Sequence, residues 1–323
     1  MNEKTNVSAG ADEEAQSEFA EVLTIVVAYS FCSASMLMVN KLTMSVLPLP
    51  STVTVIQLLC SCGFVLIGKK LGYLRADSLD WDKAKPYIIY VLAFALGMYS
   101  SMRSLEESNV ETIIVFRACS PLVVSIADWW FMEHEFPSAR SFLGLLLIVV
   151  GAIGYGCNDE TFWSIGWSAY FWPSLYLGLI CFQMTFGKQL LNSVQMSTFW
   201  GPVLYTNTMS LLPLGFVAVS TEASRLPNID ESTVLTALPF LLLSCIAGTG
   251  ISYTGWACRG AISATSFTVV GVVNKCLTLA VNLMIMPKHS NVAGLASLMI
   301  SLLGGAIYRQ SPKKTIETSS MGS

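Results

Sequence analysis

The chain has 323 residues, of which 53% are hydrophobic and only 12% charged, at a mean hydropathy of +0.59. Soluble domains carry roughly 25% charged residues, so this composition argues against an ordinary soluble fold. A net charge of −3 without a long basic run argues equally against nucleic acid as a partner.

The first twenty residues are polar and hold Glu3, Asp12, Glu13, Glu14 and Glu18. They match neither a secretory signal nor an organelle transit peptide, and residues 1–20 are expected to be a disordered cytosolic tail. Ten transmembrane helices follow, predicted at 21–44, 51–69, 86–104, 109–132, 138–157, 164–187, 198–220, 233–257, 261–287 and 291–309. Each approaches or exceeds the length needed to cross a hydrocarbon core of ~30 Å, and prolines at 50, 86, 137 and 287 fall at or beside boundaries. Residues 21–309 form the membrane domain and 310–323 a cytosolic C-terminal tail.

An even count puts both termini on one side. With both in the cytosol, 12 basic residues fall inside and 3 outside, while Lys41, Arg117 and Lys275 lie within spans. That asymmetry satisfies the positive-inside rule. A weak internal similarity relates Thr112–Val115 and its continuation to Ile153 with Thr268–Val270 and its continuation to Ile307. Five spans per half is odd, so the halves are expected to be inverted, as in alternating-access carriers with a site near the midplane.

Ionisable residues inside spans cost about 2.5–3.5 kcal/mol on insertion scales and usually face a cavity or a partner. Lys275, beside Asn274 and one turn from Gly271, lies too deep in the ninth span to snorkel readily. It offers a point charge to an anionic ligand, or else pairs with Asp128 or Glu111. Arg117 in the fourth span presents a fork to phosphate, or else locks Glu111 or Asp128 as a gate or structural pair. Lys41 can snorkel and suits interface anchoring as well as function. In the seventh span Tyr205 and Asn207 suit a purine, by stacking and by reading a base edge, or else form interhelical hydrogen bonds.

Nine cysteines scattered mostly through apolar stretches and two histidines do not form a disulfide framework or a structural metal site. The sequence contains no nucleophile elbow, phosphate loop or metal-binding HExxH, so neither a catalytic residue nor a cofactor is expected.

At these residues the chain resembles the nucleotide-sugar transporters of the drug/metabolite transporter superfamily, GDP-mannose and GDP-sugar branch. That branch carries a Phe-Tyr-Asn-Asn motif in the seventh span and a Gly-Ala-Leu-Asn-Lys motif in the ninth. Here they read Leu204-Tyr205-Thr206-Asn207 and Gly271-Val272-Val273-Asn274-Lys275. The second keeps its glycine, asparagine and lysine; the first lacks the phenylalanine and the first asparagine. Further matches are Tyr29 with Asn40-Lys41, Val110-Glu111-Thr112 before Arg117, and Ile251-Ser252 to Trp256.

The resemblance implies that Tyr205 and Asn207 recognise the nucleotide while Asn274 and Lys275 face the sugar-diphosphate. It also implies that Tyr29, Ser252 and Phe267 line the same cavity. The function it implies is a multi-pass Golgi antiporter that imports a GDP-sugar of the GDP-mannose or GDP-fucose type and returns GMP. Its partners would be the nucleotide sugar, the nucleoside monophosphate and the bilayer, with a homodimer left open. A UDP-sugar or phosphate-ester exchanger of the same fold, and a non-transporting scaffold, are the competing readings.

Overall fold

The computed structural model describes residues 2–131, 138–262, 264–285 and 290–309. Among them it is all helical. The first half contains α1 (Asn2–Val46), α2 (Pro50–Lys70), a short α3 (Trp81–Ala84), α4 (Tyr87–Glu107), α5 (Val110–Ala118), α6 (Ser120–Phe131) and α7 (Ala139–Asn158). The second contains a short α8 (Glu160–Ile165), α9 (Phe171–Ser193), α10 (Trp200–Glu222), α11 (Glu231–Ala261), α12 (Ala264–Ile285) and α13 (Val292–Ile307). The C-terminal tail lies outside the described residues.

Six stretches are long and apolar enough to cross a bilayer: Phe19–Val46, α2, α4, α7, α10 and α11. Two shorter apolar helices, Val270–Ile285 and Val292–Ile307, accompany them. Large apolar side chains such as Leu212, Phe216 and Ile246 stand exposed on the outer faces, as lipid-facing positions must.

Three departures from the predicted spans have local causes. The fourth span is broken at Cys119. Pro121 has no N–H to give the Arg117 carbonyl, and the Ser120 hydroxyl takes that acceptor instead at 2.7 Å. The sixth span starts late, because Asp159 caps α8 by accepting the Thr161 N–H at 3.0 Å and Gly166 then turns the chain at φ +70°. The eighth extends to Ala261 and carries Arg259 within it, where the sequence reading had placed that residue in a cytosolic loop.

The most extensive packing pairs are α7 with α13, α1 with α11, α2 with α10, and α4 with α9. Helices α7 and α13 touch main chain to main chain. A Cβ built on Gly304 would lie 2.5 Å from the Gly144 carbonyl oxygen, and one on Gly151 2.5 Å from the Ser301 nitrogen. At the end of the bundle holding the α1–α2 and α4–α5 turns, a large apolar cluster that includes Met44, Leu49, Leu105 and Ile113 fills the space between helices. At the opposite end, the segment between α2 and α4 is clamped onto the start of α10. Asp77 accepts from the Ser197 N–H and hydroxyl, both at 2.8 Å, and the Tyr205 hydroxyl donates to the Ser78 carbonyl at 2.6 Å.

Candidate transport cavity

Between these two ends lies a cavity of about 220 Å³, walled by α1, α2, α4, α5, α9, α10 and α11. Its polar groups fall into two sets.

The first is neutral. On α2, Gln57 and Ser61 are one turn apart and share a face. The Gln57 amide donates to Asn40 Oδ1 at 2.9 Å and Ser244 Oγ at 3.0 Å, and the Asn207 amide donates to Ser61 Oγ at 2.9 Å. These pairs tie α2 to α1, α11 and α10.

The second set is cationic. The Arg259 guanidinium lies over the Trp256 ring, 5.1 Å from its centroid, and donates to the Tyr90 hydroxyl at 3.2 Å. Its Nε is buried without an acceptor. Arg117, in the last turn of α5, also reaches the wall. Neither has a carboxylate within 4 Å among the described residues. Ser244 and Arg259 are fifteen positions apart on α11, about 22 Å along its axis, so the cavity has an amide pole and a guanidinium pole. An unpaired buried cation is costly unless an anion joins it.

The EamA-like transporter family matches residues 21–156. The Arabidopsis thaliana GDP-fucose transporter 1 is 36% identical over 90% of this chain and 86% of its own length. The Arabidopsis GDP-mannose transporter GONST3 is 33% identical over 91% of this chain and 80% of its own. The chain belongs to the EamA-like transporter family, within the drug/metabolite transporter superfamily. A crystal structure at 12% identity shares the fold of this transporter, with a TM-score of 0.57 over 90% of this chain and 96% of that one.

In this transporter Tyr29, Ser252, Asn207 and Arg117 all reach the cavity wall. Tyr205 does not. Its ring packs on Tyr87 at 5.6 Å, and its hydroxyl is consumed by the Ser78 carbonyl and the Asp80 N–H. Asn274 and Lys275 on α12 also lie off the wall. Asn274 is 2% exposed and neither polar atom of its amide has a partner among the described residues. Lys275 sits near Arg117, Cys119 and Cys181, with no carboxylate within 4 Å among the described residues. A Cβ on Gly271 would meet open space. The side chains of Phe267 and Asp128 lie outside the described residues.

Glu111 accepts from the Asn282 amide at 2.8 Å, and the structure brings it no ion pair with Arg117. Lys41 donates to the carbonyls of Leu105 and Ser108 at 2.7 and 2.8 Å. It thereby closes the negative end of α4.

Sequence reasoning missed Gln57, Arg259 and Tyr90. Gln57 carried a readable signal, a polar side chain in the middle of an apolar span. Arg259 did not, because an arginine at a helix end reads as a boundary charge.

Proposed function

We propose that this membrane transporter carries a GDP-sugar, of the GDP-mannose or GDP-fucose type, into the Golgi lumen in exchange for GMP by alternating access. One observation carries the reading: Arg117 and Arg259 face a central cavity with no carboxylate within 4 Å among the described residues, and Lys275 adds a third positive charge beside Arg117. A diphosphate supplies the missing anion, and a monophosphate supplies part of it. A cavity stabilised by an anion crosses more readily loaded than empty, which is the physical basis of obligatory exchange. The relatives named as GDP-fucose and GDP-mannose transporters favour guanine over other bases.

The helix pairing supports ten spans arranged as two inverted sets of five. Taking α5 and α6 as one span and omitting α3 and α8, the first span corresponds to the sixth and the third to the eighth. The α1–α11 contact then maps onto the α9–α4 contact, while the α2–α10 and α7–α13 pairs map onto themselves. Both termini are proposed to be cytosolic.

The test is counterflow. Purified protein in proteoliposomes preloaded with GMP should accumulate labelled GDP-mannose or GDP-fucose, and empty liposomes should not. Uptake driven equally by UMP, or selective for UDP-sugars, overturns the guanine assignment. Replacing Arg259 by Gln should weaken uptake more than replacement by Lys, since hydrogen bonds to charged groups contribute about 1.5–3 kcal/mol.

A further inference from the structure

Gln57 keeps a hydrogen-bonding group in reserve at the amide pole. It is 2% exposed, lines the cavity, and its Oε1 is buried with no donor among the described residues. Its amide orientation is fixed by the neighbours. Ser244 spends its own hydroxyl hydrogen on the Leu241 carbonyl at 2.7 Å, so towards Gln57 it can only accept. Asn40 presents Oδ1 to the same nitrogen. Both hydrogens of the Gln57 NH2 are therefore committed, and turning the amide over would set oxygen against oxygen. What remains is an acceptor held rigidly by three helices and lacking a donor. Such a group is destabilising in the empty protein and becomes satisfied when a ligand supplies an N–H or O–H.

The surroundings select the kind of donor. A Cβ on Gly248 would lie 3.3 Å from Met36 Cε and 3.9 Å from Gln57 Cβ, so the Met36 side chain and the Gln57 stem both approach a helix position kept bare. Met98, Met102 and Phe94 continue the apolar wall. A sugar ring carries hydroxyls around its rim and would leave most of them unpaired against these side chains. A planar base keeps its polar groups in the ring plane and offers two apolar faces for Met and Phe contacts. On a guanine the Watson–Crick edge sets two adjacent donors, the N1–H and the N2 amino group, beside the O6 acceptor.

The geometry points to Gln57 as a specificity residue that accepts a hydrogen bond from the guanine N2 amino group, placing the base at the amide pole and the phosphates toward the guanidinium pole. This rests on the guanine-nucleotide reading above and adds to it the residue that discriminates the base.

The experiment compares GMP with IMP, which lacks the N2 amino group, as competitors of labelled GDP-sugar uptake in proteoliposomes. The wild type should prefer GMP. Gln57→Leu, which keeps volume but removes the acceptor, should cut that preference by about 5- to 100-fold. Gln57→Glu should keep it, because one carboxylate oxygen still stands at the Oε1 position once Asn40 and Ser244 turn a donor towards the other. Ser244→Ala, which leaves Oε1 in place, should retain the preference.

A ratio of two competitors is insensitive to how much protein folds, and the Leu variant should lose the preference that the Glu variant keeps. A GMP preference unchanged in Gln57→Leu, or lost equally in Gln57→Glu, overturns the assignment while leaving guanine transport standing. Absence of GMP inhibition in the wild type overturns the functional reading and this assignment with it.

Discussion

Glu222, the last residue of α10, accepts the Ser51 N–H at 2.7 Å and the Thr52 N–H at 2.8 Å, closing the first turn of α2 from the other half of the chain. Leu49 cannot cap that helix and Pro50 has no N–H, so the Ser51 and Thr52 donors would otherwise be unpaired. Glu222 is only 2% exposed. Glu222→Ala is expected to lower stability by about 1–3 kcal/mol. Thermal unfolding of the purified variant checks this, and the GMP-induced shift in melting temperature should survive.

Lys275 is expected to behave differently. It has a cation, Arg117, close by and no carboxylate within 4 Å among the described residues. Lys275→Ala should leave the unliganded melting temperature unchanged or slightly raised, yet weaken GDP-sugar binding by roughly 10- to 150-fold. A variant that melts far lower but still responds to GMP would show that Lys275 is half of a structural pair.

Helix approach can be tested through two glycines. A Cβ at Gly151 would lie 2.5 Å from the Ser301 nitrogen and 2.6 Å from the Ser297 carbonyl oxygen, whereas one at Gly63 meets nothing within 4 Å. Gly151→Ala should therefore cost about 1–3 kcal/mol. Gly63→Ala should instead stabilise by roughly 0.5–1 kcal/mol. Equal effects of the two substitutions on melting temperature would contradict the close α7–α13 packing.

The clamp at Asp77 predicts a pH dependence. Burial works against its charge, but the Lys83 ammonium at 2.8 Å and the Ser197 N–H and hydroxyl outweigh this and hold the carboxyl down at about 2. A folded-state value below the unfolded ~3.9 means the contribution is complete above that value and is lost as pH falls through about 2. The difference in melting temperature between wild type and Asp77→Asn should be constant near neutrality and shrink below pH ~4. A difference that instead grew on acidification would refute the clamp.

Much of the helical layout was readable because apolar runs announce themselves. Four residues that the sequence singled out, Tyr29, Arg117, Asn207 and Ser252, stand on the cavity wall. The fourth-span break was written in Pro121 but hidden by the unbroken hydrophobicity around it. Tyr205 shows the limit of local reading. Nothing beside it indicates that a loop more than a hundred residues earlier will take its hydroxyl. The Glu222 cap is equally non-local, with 171 positions between donor and acceptor. Arg259 was misplaced because a charge after an apolar run resembles a helix exit, whereas Trp256 one turn back gives that charge a place inside.

The main-chain contact between α7 and α13 also supplies a frame of reference for measuring motion. Helices that meet through backbone atoms at Gly144, Gly151 and Gly304 have no side-chain layer to shear there, so they are expected to hold their spacing. Phe142 and Met299 stand exposed on the outer faces of that pair and can carry spin labels without touching the cavity. Distances from them to labels on α4 and α10 would then report how far the remaining helices travel in each half of the transport cycle.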